Sequence, residues 1–116
     1  MGQEGEAGQA LLSARAGLAA RDAVLAAADR ALTDTLAAAY AAAVESIARI
    51  EAIRADIDAA AGRSPDSPAG AHDLSSLLVA KQREIADVLG DARAESEAKT
   101  AVLQQIAAQY RSASTG

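Results

Sequence analysis

Leucines recur at a seven-residue spacing in the first part of the chain. They occupy Leu11, Leu18, Leu25 and Leu32, a spacing that keeps them on one face of a helix. Beyond them the apolar residues continue in a shifted phase, at Leu36, Tyr40, Ala43, Ile47, Ile50 and Ile57. The pattern predicts a long helix in which four extra residues shift the heptad after Leu32, a stutter.

The shift of phase falls at Thr33-Asp34-Thr35, which leaves a second interpretation open. Thr and Asp are weak helix formers, and either side chain can cap a new helix. A break near Thr33 would divide this part of the chain into two helices and give a three-helix fold. Of the two interpretations, one continuous helix is favoured.

Residues 62–67 interrupt the helical pattern and are predicted to form the loop of a hairpin. Gly62 can take the left-handed conformation that closes a helix. Ser67 followed by Pro68 matches an N-cap with proline at the first helical position. A single helical domain over 9–112 is therefore expected, with arms at 9–61 and 68–112, a polar leader at 1–8 and a frayed tail at 113–116.

The predicted fold is all-α, a long antiparallel helical hairpin. With its turn centred between Ser64 and Pro65, Glu45 lies level with Glu84 and Arg30 level with Lys99. Polar residues of both arms then meet in a shared waist. The waist residues are Arg30, Thr33, Asp34 and Thr35 on the first arm and Arg93, Glu95, Glu97 and Lys99 on the second.

Alanine fills 34 of the 116 positions, 23 of them before Gly62. Alanine favours helix, and its methyl group lets two helices approach closely. A bare hairpin buries only one stripe per helix, while apolar residues off that stripe widen the face: Leu12, Val24, Val44, Ile53, Leu77, Val79 and Leu89. A third layer is therefore expected, from self-association, from another protein or from the first arm folding back at Thr33.

Charge and composition exclude several classes of partner. A net charge of −5 repels nucleic acid and opposes adsorption to anionic lipid. The absence of cysteine excludes disulfides and thiolate metal sites. The acidic start is unlike a signal peptide, and Glu6 departs from the myristoylation pattern. We expect a cytoplasmic protein, with export lacking a cleavable signal peptide as the alternative, and membrane association is not favoured.

Catalytic and metal-binding patterns are not found. His72, the single histidine, lacks a second ligand at helical spacing, and Glu84, Asp87 and Asp91 form a row typical of a solvated helix face. Two helices also form no cleft for acid and base groups. The sequence therefore predicts no enzyme, no cofactor and no metal site.

The leucine heptad is the candidate binding site. In the predicted register the second arm ends near Leu18, so Leu11 and Leu12 extend beyond it. Leu11, Leu18, Leu25 and Leu32 are interpreted as a face for another helix, with the hairpin core as the alternative. The predicted function is a non-enzymatic interaction module that binds another helical protein or itself, and an amphipathic surface-coating protein is a further alternative.

Several segments resemble a mycobacterial helical family of unknown function. They are Arg21-Asp22-Ala23-Val24-Leu25, Ser67-Pro68-Ala69-Gly70-Ala71, Lys81-Gln82-Arg83-Glu84-Ile85 and Gln109-Tyr110-Arg111, together with Leu78. The similarity extends from about Leu11 to Arg111. It implies an actinobacterial source and supplies no activity or catalytic residues.

In size and hairpin plan the chain is also similar to the helical-hairpin proteins exported by type VII secretion. It lacks their Trp-x-Gly turn, because it contains no tryptophan. It also lacks their Tyr-x-x-x-Asp/Glu signal, since Ser114 stands four residues after Tyr110 and Glu45 stands five after Tyr40. A secretion-associated role is therefore an alternative that rests on architecture alone.

Overall fold

The structure, a computed structural model, describes residues 2–63 and 66–115. Nearly all of these lie in two helices, α1 (Gly2–Gly62) and α2 (Pro68–Thr115). The helices run antiparallel, which confirms the all-α helical hairpin. The predicted turn centre between Ser64 and Pro65 lies outside the described residues, as do Met1 and Gly116.

The segment around Thr33 does not break α1, so the continuous helix is confirmed and the three-helix alternative is wrong. The Thr33 hydroxyl donates to the Asp29 carbonyl at 3.0 Å. This bond engages the side chain within its own helix, so it does not cap a new one. Thr35 is buried, and its burial places the segment in the packed part of the hairpin.

The start of α2 shows how the chain resumes helical structure after the loop. Ser67 Oγ accepts a hydrogen bond from the Gly70 backbone N–H at 3.0 Å, and the Ala71 N–H donates to the Ser67 carbonyl at 2.9 Å. Pro68 is the first helical residue, where a missing N–H costs nothing. Gly62 is the last residue of α1, and its φ is not in the positive region, so the expected left-handed closure is not adopted.

Both helices are longer than the sequence predicts. The first begins at Gly2, so residues 2–8 of the expected leader are helical, and the second continues to Thr115. In the last turn Ser114 Oγ donates to the Tyr110 carbonyl at 2.8 Å and Thr115 Oγ1 to the Arg111 carbonyl at 3.0 Å. These bonds engage both hydroxyls within the last turn of α2, and the helix continues into the expected tail.

One row of burial along α1 keeps a seven-residue period from Leu25 to Ala60 without a stutter, and of the predicted shifted stripe Ile50 and Ile57 are half-buried. This row of buried or half-buried positions comprises Leu25, Leu32, Ala39, Ser46, Ile53 and Ala60. A second row comprises Arg21, Ala28, Thr35, Ala42 and Arg49. Small side chains occupy much of both rows because they let the helices approach closely, and Leu36, Tyr40 and Ile47 are left exposed.

Contacts group the hairpin into two units. One contains α1 up to Leu36 and α2 from Thr100 onward, and its buried residues include Ala28, Ile106 and Ala113. Within it, the Tyr110 hydroxyl donates to Asp29 Oδ1. Because Asp29 and Tyr110 belong to different helices, their bond fixes the pairing of α1 with α2 in this unit.

The other unit contains residues 37–99, and its buried residues include Ile53, Ala60 and Val88. Among its described residues, two ion pairs join the helices. Arg49 Nη1 lies 3.0 Å from Asp91 Oδ2, and Lys81 Nζ lies 2.8 Å from Asp56 Oδ2. Lys81 Nζ is also 2.9 Å from Glu84 Oε2, so this ammonium holds two carboxylates.

The predicted register is wrong in both units. Each cross-helix partner lies 8 to 11 residues further along α2 than predicted. The three pairs are Asp29 with Tyr110, Arg49 with Asp91 and Asp56 with Lys81. The five residues between Gly62 and Pro68 can span up to about 17 Å, so the connection does not fix the register. Packing of the buried rows fixes it instead.

The shared polar waist is also wrong, because its α2 residues pair along their own helix. Arg93 Nε lies 3.5 Å from Glu97 Oε1, and Lys99 Nζ lies 3.3 Å from Glu95 Oε2. Glu95 lines a groove with Ala42 and Glu45, away from the position that the predicted register gave it. Glu84 likewise lines a groove with Ile53 and Asp56 instead of lying level with Glu45.

Two of the cross-helix bonds predict how stability depends on pH. The hydrogen bond to Asp29 raises the pKa of Tyr110 above its ordinary 10.0, and the bonds to Asp56 and Glu84 raise the pKa of Lys81 above its ordinary 10.5. Both groups stabilise the hairpin while protonated. Their contribution is complete below the ordinary pKa values and is lost as pH rises through the raised values.

Urea unfolding followed by circular dichroism between pH 7 and pH 11 tests this dependence. We expect Tyr110→Phe to lose less stability than the wild type above pH 10, with the remaining loss coming from Lys81. Tyr40→Phe is the matched control, since Tyr40 is 75% exposed, and it should follow the wild-type curve. Identical alkaline losses for the wild type and Tyr110→Phe would show that the Asp29 bond does not contribute.

Substitution of Ala28 tests whether small side chains hold the helices close. Ala28 is 0% exposed, so Ala28→Leu must overpack the seam. We expect it to lower the free energy of unfolding by about 1–3 kcal/mol. Ala27→Leu adds the same atoms at an exposed neighbour and should change stability by less than about 0.5 kcal/mol. Equal effects of the two substitutions in urea unfolding would contradict close packing at Ala28.

Candidate interaction surface

The first turns of α1 extend beyond its contact with α2. Every residue from 3 to 20 is exposed, whereas Arg21, Leu25 and Ala28 are half-buried or buried. We call residues 3–20 the α1 overhang. At 1.5 Å per residue the overhang is about 27 Å long, which is enough to pack against a second helix over five turns.

The four leucines of the predicted binding face divide into two pairs. Leu25 and Leu32 are half-buried within the hairpin seam. Leu11 is 53% exposed and Leu18 is 56% exposed, both in the overhang. The predicted register left only Leu11 and Leu12 beyond α2. The observed register adds Leu18, because α2 is displaced along α1.

Leu11 and Leu18 continue the buried rows of the hairpin into the overhang. Leu11 stands fourteen residues and Leu18 seven residues before Leu25, and Ala14 stands fourteen residues before Ala28. We call the face formed by Leu11, Ala14 and Leu18 the leucine face. Leu12 is 64% exposed and points about 100° away from Leu11, so it lies outside this face.

An open groove of about 580 Å³ lies where the overhang meets the end of α2. It is lined by Ala14, Gly17, Leu18, Ala20, Arg21, Val24, Ser112 and Ala113. A Cβ atom added at Gly17 would meet no other atom within 4 Å, which shows how open this wall is. The groove continues from the last turn of α2 along the leucine face.

Charges on the overhang are separated by sign. Glu4 and Glu6 precede the leucines, and Arg15 lies between Leu11 and Leu18, with Arg21 at the border of the hairpin. Glu4 lies in the first turn of α1, where the helix dipole favours an acidic side chain. A helix that packs antiparallel to the overhang would meet these charges in the reverse order.

A second apolar patch lies within the unit of residues 37–99. Tyr40, Val44 and Ile47 are exposed and share one face of α1. The sequence pattern assigned Tyr40 and Ile47 to the seam, so this patch was missed as a surface. Ala39, Ala42 and Ser46 occupy the seam in their place, and the small size of these side chains is the signal that could have revealed the patch.

Residues with catalytic or metal-binding potential are not gathered into a site in the part of the chain that the structure describes. His72 is exposed at the start of α2. Glu84 and Asp91 from the predicted carboxylate row are held by Lys81 and Arg49. Among the described residues no group of three or more His, Cys, Asp or Glu side chains could hold a metal ion.

Among the described residues, no helix combines the length and the apolar character needed to cross a bilayer. The exposed apolar side chains are spaced along helices that also carry charge, as at Glu4, Arg15 and Arg21 in and beside the overhang. What the leucine face offers chemically is apolar contact with a second helix, guided by charges at both of its ends.

Comparison with known proteins identifies relatives along almost the whole chain. An uncharacterized protein of Mycobacterium tuberculosis (strain CDC 1551 / Oshkosh), MT0028, is 43% identical over 116 residues, which cover 95% of this chain and 96% of that protein. No solved structure matches the chain. The similarity to MT0028 confirms the resemblance to an uncharacterised mycobacterial family.

Two further relatives are longer proteins. MT0764 of the same strain and Rv0739 of strain ATCC 25618 / H37Rv, both uncharacterized, are each 36% identical over 92 residues. These residues cover 76% of this chain but 34% of each relative. The sequence pattern of the family described as a domain of unknown function (DUF4226) matches residues 4–115. The chain therefore belongs to the DUF4226 family.

Proposed function

We propose that the protein is a non-enzymatic helical interaction module that binds a partner helix through the leucine face of the α1 overhang. One observation carries the proposal: Leu11 and Leu18 are exposed on the face that packs against α2 further along the same helix. The surface has the pattern of a helix seam, and a partner would occupy it.

The energetics of exposed leucine support this proposal. Burying a leucine side chain contributes about 1.5–3 kcal/mol relative to leaving it in water. The overhang forgoes this contribution at Leu11 and Leu18, while Ala14 between them leaves room for a second helix to approach. A docked helix would bury both leucines and extend the packing that begins at Leu25.

The chemistry of the titratable groups supports a non-enzymatic role. The two groups with raised pKa values, Lys81 and Tyr110, are held by carboxylates of α1. The groove beside the leucine face is lined mainly by Ala, Gly, Leu and Val side chains, with Arg21 as its one titratable group. Apolar contact is the interaction that such a surface favours.

The longer relatives fit the role of a module. In MT0764 and Rv0739 the similar region makes up about one third of the protein, so a sequence similar to this chain is combined there with other sequence. A helical hairpin that presents one helix beyond the other is suited to such combinations, because its binding face lies away from its loop.

We propose that the module acts in the cytoplasm.

Affinity capture from a mycobacterial lysate, quantified by mass spectrometry, tests the proposed function. We expect Leu18→Asp to lower recovery of a specific partner at least tenfold, because a charge replaces a side chain whose burial contributes more than about 1.4 kcal/mol. Leu89→Asp is the matched control at an exposed leucine of α2, and it should retain the partner. Circular dichroism should show both variants folded.

Two results would contradict the leucine face as the binding surface. One is full recovery of the partner by Leu18→Asp. The other is loss of the partner by Tyr40→Asp with Leu18→Asp unaffected, which would move the binding surface to the patch around Tyr40.

A second candidate is an exported factor associated with type VII secretion. The helical hairpin and the mycobacterial relatives support it. Fractionation of a host culture distinguishes this role from a cytoplasmic one. Native protein in the culture filtrate, without a cytoplasmic marker enzyme, would support export, and native protein confined to the cytosol would contradict it.

A further inference from the structure

We infer that the helix that occupies the leucine face is the α1 overhang of a second copy of this chain. The two overhangs pair antiparallel, with a two-fold axis passing beside Leu11. This inference rests on the proposed function, because it names the partner for the same surface. Its support comes from the phase of the buried rows, the steric fit and the order of the charges.

The phase of the seam gives the first support. In the hairpin, α2 packs on the rows that contain Leu25 and Ala28. The same rows continue through Leu18, Ala14 and Leu11 into the overhang. The groove between Val24 and Ala113 opens onto this face. A second overhang that runs antiparallel to α1 therefore follows the course on which α2 ends.

The pairing is self-complementary, as a two-fold interface requires. With Leu11 against Leu11 of the second copy, Ala14 lies level with Gly8, and Leu18 lies level with Glu4. The contact between Ala14 and Gly8 occurs twice and allows the helix axes to approach closely. A Cβ added at Gly8 would meet no atom within 4 Å in the single chain, so this side of the overhang is open.

Charge complementarity gives the third support. In this pairing Glu6 lies level with Ala16 of the second copy, one residue from Arg15. Glu4, level with Leu18, lies within one turn of both Arg15 and Arg21 of the second copy. A parallel arrangement would instead place Arg15 beside Arg15 and the glutamates beside each other. The separation of charges along the overhang thus favours the antiparallel pair.

Shifting the pair by seven residues keeps the leucine face in phase but removes these advantages. A shift toward α2 brings Glu4 of the second copy level with Leu25, where the end of α2 already lies with Ala113 beside Val24. A shift of seven residues away from α2 places Leu11 of one copy level with Glu4 of the other. Arg15 then lies four residues from the nearest glutamate of the other copy. The register centred on Leu11 avoids the end of α2 and retains the charge pairs.

Single cysteines test the two-fold axis, since the natural chain contains none. In the otherwise intact chain, Leu11→Cys places one thiol of each copy beside the axis, whereas Leu12→Cys places it about 100° away. A disulfide needs Cβ atoms about 3.8 Å apart. Under mild oxidation we expect Leu11→Cys to form covalent dimers at least ~10-fold faster than Leu12→Cys, because only its thiols meet at that distance.

Sedimentation equilibrium tests the same pair without a cross-link. The wild type and Leu12→Asp should show a concentration-dependent dimer, and Leu11→Asp should remain a monomer whose hairpin stays folded by circular dichroism. Arg15→Glu should weaken the dimer, and combining it with Glu6→Arg should restore it. Equal cross-linking of Leu11→Cys and Leu12→Cys, or a wild-type chain that stays monomeric at millimolar concentration, would overturn self-pairing.

Failure of self-pairing is distinguishable from failure of the proposed function. A monomeric wild type that loses a captured protein on Leu18→Asp overturns pairing between copies and leaves the leucine face as the binding site for another protein. A monomeric wild type whose captured partner is unaffected by Leu18→Asp overturns both proposals.

Discussion

The hairpin depends on the close approach of α1 and α2 along rows of small side chains. Ala28 is completely buried, and Ala60 and Ala113 are among the other buried residues. A methyl group fills little space, so its packing energy is realised only when the facing helix comes near. Bulky residues at the same positions would hold the axes apart. This constraint decides which face of α1 meets α2, and it leaves Leu36, Tyr40 and Ile47 outside the seam.

Two consequences follow from a seam of this kind. Polar contacts at its edge, such as Arg49 with Asp91 and Tyr110 with Asp29, reinforce the pairing in each unit without replacing apolar burial. Large apolar side chains outside the seam remain exposed to solvent. In the overhang two of them, Leu11 and Leu18, lie on the same rows that form the hairpin seam. The surface proposed for binding is thus an extension of the fold's own packing pattern.

The sequence predicts the element types well and the packing poorly, for a physical reason. Turn chemistry at Gly62, Ser67 and Pro68 marks the loop, and the alanine content indicates helix. Alanine is so frequent, however, that every face of α1 carries it, and the larger residues at Tyr40 and Ile47 dominate any hydrophobic pattern. Loop length did not fix the register either. The overhang could be predicted in part, since Leu11 lies beyond α2 in either register, but the exposure of Leu18 required the observed one.

We propose that the hairpin supports α1 only from about Arg21 onward and that pairing stabilises the overhang. Hydrogen exchange of backbone amides, measured by mass spectrometry over a range of protein concentrations, tests it most directly. An isolated helix of this length is marginal in water, so residues 3–20 should exchange rapidly in dilute protein and become protected as concentration rises. Residues 25–57 should stay protected throughout. Strong protection of residues 3–20 at every concentration would contradict the account.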